Sequence, residues 1–301
     1  MNLTETDLDL VEALREDGRA SFESLAGRVG LSRKAVRSRV LRLFEEGVLR
    51  VVATVRPEFD GIRATAHLSV SVTGARREDV ARILADQDET VFVSIVSGRA
   101  GVVAEIRTTD LHRLGNAVDR LRGVEGVTRI ETLVYTDVVM EPHLPPPGDA
   151  VDTDPAVDHL DRSLIALLRA DGRTSYADLA AHVGLSAAAT RARVRGLLDS
   201  GVIRIVTLVN PTKLGRSFMT GFALDLEGAA QDVLHRIGRI GAVDFLALTL
   251  GTADAVGTIV TTTVEDTVAV LDRIGSLDGV AGLRSWTHLR LVQERYGIAG
   301  G

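Results

Sequence analysis

Asp17-Gly18-Arg19, Gly30-Leu31-Ser32, Arg37-Ser38-Arg39-Val40 and Gly47-Val48-Leu49-Arg50 all return later in the chain. They recur as Asp171-Gly172-Arg173, Gly184-Leu185-Ser186, Arg191-Ala192-Arg193-Val194 and Gly201-Val202-Ile203-Arg204. The offset is 154 residues and needs no gap from Asp7/Asp161 to Gly61/Gly215. A 301-residue chain patterned this way is a tandem duplication, and each copy is long enough to bury its own core.

Each copy begins with a helical pattern. Thr4 to Asp17 is amphipathic, with Leu8, Val11 and Leu14 on one side and Gly18 as a stop. Ser21 opens a short helix with Phe22, Leu25, Ala26 and Val29 inward. Gly30 breaks it, and Ser32 caps a third helix reaching about Glu46, where Val36, Val40, Leu43 and Phe44 form the buried stripe. Val48 to Val55 reads as a short β wing. After Pro57 the period changes to strand (65–72), helix (76–85), strands (91–96, 102–106), helix (111–121) and strand (127–139). That order, βαββαβ, predicts a ferredoxin-like sandwich with two helices on one sheet face, repeated from Phe218 to Val292. The expected fold is α+β: winged helix-turn-helix domains at 1–56 and 157–210, βαββαβ domains at 63–140 and 216–298. Between the copies, 141–156 reads as a semi-rigid spacer containing Pro145-Pro146-Pro147.

The net charge of −6 argues against bulk attraction to nucleic acid, so a DNA site must come from local patterning. That patterning exists. From Arg28 to Arg50, seven basic residues face two acidic ones, net +5; the matching stretch from His182 to Arg204 carries net +3. A helix-turn-helix needs a bracing helix, a tight turn and a second helix with one polar face. Ser32 and Ser186 cap that second helix and leave its positive N-terminal end facing phosphate. Arg33, Lys34, Arg37 and Ser38 are candidate base readers, while Arg39, Arg42 and Arg50 are assigned to the phosphate backbone. Arg191, Arg193 and Arg195 repeat the pattern in copy 2, but Arg33-Lys34-Ala35 becomes Ala187-Ala188-Ala189. The first reader is therefore expected to supply most of the specificity, and the second weaker, mainly phosphate affinity.

These residues resemble the Lrp/AsnC, or feast/famine, family of transcriptional regulators. The resemblance rests on Asp7/Asp161, Asp17-Gly18-Arg19/Asp171-Gly172-Arg173, Leu25-Ala26/Leu179-Ala180, Val29-Gly30-Leu31-Ser32/Val183-Gly184-Leu185-Ser186 and Arg39-Val40/Arg193-Val194. It covers nearly the whole chain outside the spacer. It implies double-stranded DNA as a partner and a βαββαβ effector (RAM) domain that binds an amino acid or related metabolite and assembles the oligomer. The family's effector turn, Gly-x-x-Asp, stands here as Gly251-Thr252-Ala253-Asp254; copy 1 reads Gly98-Arg99-Ala100-Gly101. The resemblance thus points to Gly98, Arg99, Gly101, Gly251, Thr252 and Asp254 as effector-binding; without the carboxylate, copy 1 has either lost amino-acid binding or, through Arg99, shifted its preference toward an acid. In the family two RAM sheets pair to form a dimer; a tandem chain makes that pairing within itself, and such pseudo-dimers would build a homo-oligomer.

No enzymatic signature stands out. The absence of cysteine excludes disulfides, thiolate metal sites and a Cys nucleophile. His67, His112, His143, His159, His182, His235 and His288 show no metal-ligand spacing, and no phosphate loop or Ser/His/Asp arrangement is evident. No catalytic residue, metal or cofactor is expected. His67 and His288 read as hydrogen-bonded structural histidines, Trp286 and Phe218 as core. One enzyme alternative follows from the architecture, since sirohaem decarboxylases are also tandem proteins of this kind. Another alternative is a ligand-sensing partner with reduced DNA binding. No apolar run is long enough to span a bilayer and Met1 to Asp7 is acidic and polar, so a cytoplasmic location without membrane contact is expected.

Overall fold

A computed structural model describes residues 3–145, 157–210, 213 and 218–295. Pro146, Pro147 and the remainder of the expected spacer through residue 156 lie outside the described residues. Two compact units are present: residues 1–56 with 143–214, and residues 57–142 with 215–301. Like pairs with like. The two helical domains form one unit and the two βαββαβ modules the other.

In the helical unit, copy 1 supplies α1 (Glu5–Glu16), α2 (Phe22–Val29) and α3 (Arg33–Glu45), and copy 2 supplies α6 (His159–Ala170), α7 (Tyr176–Val183) and α8 (Ala187–Asp199). Local chemistry sets the boundaries. Thr4 and Asp7 exchange hydrogen bonds in a capping box at the start of α1, as Asp158 and Asp161 do for α6. Gly30 and Gly184 terminate α2 and α7 with φ of 68° and 70°, a conformation that favours glycine and turns the chain sharply into the next helix. Leu10, Leu14, Leu25, Val36, Val40 and Leu43 close the copy 1 core.

The expected β wing takes a different form. Strand β1 (Leu49–Thr54) pairs antiparallel with its equivalent β6 (Arg204–Val209) instead of folding back on its own copy. Val52 lies opposite Val206, its own counterpart, so a pseudo-two-fold axis passes through that pair. An isolated six-residue strand has an open edge, and pairing with the equivalent strand of the other repeat covers it. Helix α1 packs on β6 and α6 on β1, reciprocally.

The second unit holds β2 (Ala64–Val72), α4 (Arg77–Ala85), β3 (Thr90–Val96), β4 (Val102–Thr108), α5 (Leu111–Arg122) and β5 (Val127–Met140). Copy 2 adds β7 (Phe218–Leu226), α9 (Ala230–Gly238), β8 (Val243–Leu250), β9 (Ala255–Thr261), α10 (Val264–Gly275) and β10 (Val280–Glu294). Each module is the βαββαβ sandwich expected, and the two join edge to edge, β5 with β8 and β10 with β3, to close an eight-stranded barrel. Alternation then has an inside and an outside. On β2, Ala66, Leu68 and Val70 pack under α4 and α5, while His67, Ser69 and Ser71 face the other way, into the barrel.

Candidate functional site

Three features carry chemistry: the outer faces of α3 and α8, a cleft at the barrel's hairpin turns, and a chamber inside the barrel.

On α3, Val36, Val40 and Leu43 are buried, which turns Arg33, Lys34, Arg37 and Ser38 to solvent. Ser32 Oγ accepts the Ala35 N–H at 3.3 Å and Ser186 Oγ the Ala189 N–H at 3.2 Å, so both helix starts are capped and exposed. Among the described residues, no carboxylate pairs with Arg33, Lys34 or Arg37. Arg50 is exposed on β1 and Arg195 on α8. Arg191 is exposed too, with its guanidinium 5.7 Å from the Tyr176 ring centroid.

Arg39, Arg42 and Arg193 are held differently from the free phosphate clamps expected of them. Arg39 binds Asp7 Oδ1 at 2.9 Å and Arg42 binds Asp7 Oδ2 at 3.1 Å, on a carboxylate that is completely buried. Arg193 bridges Asp158 at 2.8 Å and Asp161 at 3.0 Å. A buried carboxylate calls for a cation, so these arginines brace α3 against α1 and α8 against α6. Burial works to raise the Asp7 pKa, but the Thr4 amide and hydroxyl and the Arg39 guanidinium together hold it below its ordinary value.

Sequence reasoning gave Arg19 and Arg173 no role. Arg19 donates to the carbonyls of Gly172 (2.6 Å) and Thr174 (2.9 Å); Arg173 donates to those of Gly18 (2.6 Å) and Ala20 (2.8 Å). Each guanidinium also lies over the other copy's aromatic ring, Arg19 on Tyr176 and Arg173 on Phe22. The repeated Asp-Gly-Arg is therefore a reciprocal clasp. Its exact recurrence was the available signal, but a clasp needs two copies in register to be visible.

The hairpin turns converge on one cleft of about 180 Å³ in the barrel unit. Gly98 and Arg99 from copy 1 meet Thr252 from copy 2 there, alongside Arg129, Glu131 and Arg284. Arg129 pairs with Glu131 at 2.6 Å, and Arg284 donates to the Thr252 carbonyl at 2.8 Å. The other effector candidates are used structurally. Gly101 is buried and donates to the Val70 carbonyl at 2.9 Å; the Asp254 carboxylate accepts the Leu226 N–H at 2.7 Å. Gly251 is exposed, and a Cβ there would fall 2.7 Å from the Thr132 carbonyl. Arg284 also pairs with Asp225 at 3.3 Å, so with Arg129 held by Glu131 the uncompensated positive charge of the cleft, among the described residues, is that of Arg99.

The chamber, about 80 Å³, lies within the barrel. Copy 1 contributes His67, Glu105, Arg107, Tyr135 and Glu141; copy 2 contributes Asp244, Trp286, His288 and Glu294. Arg107 pairs with Glu105 at 2.7 Å, and the Tyr135 hydroxyl donates to Glu105 at 3.1 Å. Burial, then the nearby Glu105, raises the Tyr135 pKa well above its ordinary value. Burial outweighs the attraction of Arg107 and, helped by Glu105, Asp244 and Glu294, pushes Glu141 up to about 8. Burial lowers His67 to about 4; burial and then His67 lower His288 to about 3. Both imidazoles are neutral at pH 7.

Their expected hydrogen bonds divide. His67 Nε2 meets Ser69 Oγ at 3.2 Å, but neither ring nitrogen of His288 has a partner among the described residues, although only 7% of the residue is exposed. Trp286 Nε1 also lacks one. An unpaired buried polar group costs about 1–3 kcal/mol, so these atoms are unusual for a purely structural lining. Trp286 walls this chamber, its ring 5.5 Å from His67, and Phe218, expected in the core, is 39% exposed. Among the described residues no group of three or more His, Asp or Glu could hold a metal ion, and no helix is long and apolar enough to cross a membrane.

The AsnC-type helix-turn-helix domain matches residues 3–43 and 157–198, and the Lrp/AsnC ligand binding domain matches residues 65–144. Over 140 residues, 46% of this chain, an uncharacterized HTH-type transcriptional regulator of Pyrococcus horikoshii is 29% identical, with 89% of that protein covered. The HTH-type transcriptional regulator FL11 of Pyrococcus furiosus is also 29% identical over 140 residues, with 93% covered. Across both repeats the fold is similar to the crystal structure of the siroheme decarboxylase NirDL, at a TM-score of 0.62 and 13% identity, covering 97% of this chain and 93% of that one. Identity that low conveys architecture and not chemistry. The helix-turn-helix match comes twice at the spacing of the repeat, and with the ligand-binding match and these relatives it shows that the chain belongs to the Lrp/AsnC family of transcriptional regulators.

Proposed function

We propose that this protein is a sequence-specific DNA-binding regulator without enzymatic activity, reading duplex DNA through α3 and α8 and responding to a carboxylate-bearing metabolite. The reading is carried by the exposed face of Arg33, Lys34 and Arg37 at the capped start of α3, which no carboxylate pairs with among the described residues, in a chain whose net charge is −6. Long cations at that end of a helix reach base edges and phosphates. Arg99, with no carboxylate partner among the described residues, supports an anionic metabolite at the hairpin cleft, whose carboxylate its guanidinium would receive.

Mobility shift at two salt concentrations tests the reading. Affinity for a selected site should fall steeply as salt rises, because each neutralised phosphate releases counterions. Arg37→Ala should cost about 1–3 kcal/mol and relax base preference; Arg191→Ala should weaken binding less and more uniformly. Equal losses would contradict the division between the two helices, and salt-insensitive or absent binding would contradict the function.

A second reading, a tetrapyrrole decarboxylase, is favoured by the likeness to NirDL together with His67, Arg107 and His288 around one chamber. Size weighs against it. About 80 Å³, at roughly 10–15 Å³ for each water-sized occupant, suits a molecule of a few heavy atoms rather than a macrocycle. A Soret band after titration with a metallated tetrapyrrole would restore the enzymatic reading.

A further inference from the structure

We propose that Tyr176 is a positioning residue for DNA binding, holding the Arg191 guanidinium over its ring with the N–H edge left free for a phosphate. The inference rests on the DNA-binding reading of α8 and adds to it a residue of α7.

The ring is fixed independently of Arg191. Tyr176 is the first residue of α7, directly after Ser175, whose hydroxyl accepts the Asp178 N–H at 3.1 Å and sets the start of the helix. Arg19 of copy 1 places its guanidinium 4.9 Å from the ring centroid and is itself anchored by the Gly172 and Thr174 carbonyls, in the loop that leads into α7. The half-buried ring therefore has a capped backbone and a neighbouring cation held in place. Arg191 comes within 5.7 Å of the same centroid, inside the range of about 6 Å over which a guanidinium is attracted to an aromatic face.

Stacking and ion pairing use different parts of a guanidinium. A carboxylate takes the N–H edge, as Asp158 and Asp161 take that of Arg193. An aromatic ring takes the face and leaves the donors in the plane available. Among the described residues no carboxylate pairs with Arg191, so the ring orders this side chain without neutralising it. That matters on α8, which opens with Ala187 and Ala188 and commits Arg193 to the brace. Arg191 and Arg195 are the exposed arginines left on that helix. A side chain already ordered in the free protein loses less freedom when it meets DNA. Copy 1 is built differently: Arg173 lies 5.3 Å from the Phe22 centroid, but Arg37, the counterpart of Arg191, lies over no ring among the described residues.

Two measurements on the full-length chain test the proposal, one of them without DNA. In the free protein, side-chain nitrogen relaxation by NMR should show the Arg191 Nε–H more ordered than that of Arg37, the two signals being assigned through Arg191→Lys and Arg37→Lys. Tyr176→Leu should bring Arg191 to the mobility of Arg37. On a duplex recovered by in vitro selection with the wild-type chain, Tyr176→Leu should weaken binding about threefold to tenfold while keeping a cooperative melt. Tyr176→Phe, which keeps the ring, should bind as the wild type does. In an Arg191→Ala background, Tyr176→Leu should cost nothing further. The same loss in that background would show a purely structural role and overturn the proposal. Equal losses in Tyr176→Phe and Tyr176→Leu would place the effect in the hydroxyl, and equal mobility of Arg191 and Arg37 in the wild type would remove the ordering; either overturns it. A chain that binds duplex and is indifferent to Tyr176→Leu would overturn this proposal alone, whereas a chain that binds no duplex would overturn the regulatory reading and this proposal with it.

Discussion

At the scale of single residues, Asp7 shows how a family hallmark and a charged face answer different needs. Its carboxylate is completely buried, closes the capping box with Thr4 and is gripped by Arg39 and Arg42. Its counterpart Asp161 is gripped by Arg193 alone, because Arg42 is replaced by Gly196. Asp7→Ala should therefore destabilise the chain by about 2–3 kcal/mol, near the lower end for breaking a buried pair since both guanidiniums remain partly hydrated. Asp161→Ala should cost less, and chemical denaturation of the two variants checks the order. The pH dependence has a definite sign. Because the folded pKa of Asp7 lies below its ordinary value of 3.8, its contribution is complete above that pH and is lost as pH falls through the folded pKa. The Thr4-Glu5-Thr6-Asp7 spacing carries the signal of the capping box, although only the start of an amphipathic helix was read from it; the exposure of Arg33, Lys34 and Arg37 was legible from the buried stripe opposite them. The diversion of Arg39, Arg42 and Arg193 into ion pairs was not, because their carboxylates lie more than thirty positions away.

At the scale of elements, local signals and remote partners separate cleanly. Ser32, Gly30 and the alternation on β2 act within a few residues, and the helices and strands they delimit appear within a residue or two of where the pattern placed them. Which strand lies beside which is decided elsewhere. Polar residues such as His67, Glu105 and Arg107 alternate with apolar ones as they would on a solvated sheet face. Closure through β5–β8 and β10–β3 makes that face the inside of a barrel, and its far wall is encoded more than a hundred residues away. The pairing of β1 with β6 was hidden for the same reason. That junction leaves little room: a Cβ on Gly172 would sit 3.0 Å from backbone atoms of Val51 and Val52, whereas one on Gly18 would meet only side-chain atoms of Val51 and Thr207 at 2.9 and 3.0 Å. Side chains can rotate aside; strand backbone cannot do so without breaking its ladder. Gly172→Ala should cost about 1–3 kcal/mol and Gly18→Ala distinctly less. Thermal melts of the two variants test this, and equal losses would show that the strand junction is softer than its geometry implies.

At the scale of the whole molecule, duplication converts an association between chains into one within a chain, and frees the halves to diverge. The helical unit keeps the geometry of a dimer: Val52 opposite Val206, and the two Asp-Gly-Arg clasps exchanged across the same axis. Its chemistry is no longer symmetric, since α3 opens with Arg33 and Lys34 where α8 opens with Ala187 and Ala188. A palindromic operator mirrors two identical readers, and an additional favourable base contact is worth about 1–3 kcal/mol. The α8 half offers fewer groups to collect that energy. In vitro selection from random duplexes should therefore return a site with one well-defined half and one degenerate half, about one helical turn apart or a multiple of it. Restoring the lost cations with Ala187→Arg and Ala188→Lys should sharpen the degenerate half, raise affinity and move the selected optimum toward a palindrome. If the wild-type chain already selects a perfect palindrome, the Arg33–Lys34 pair is not what reads bases, and specificity must come from residues that the two copies share, Arg37/Arg191 foremost among them.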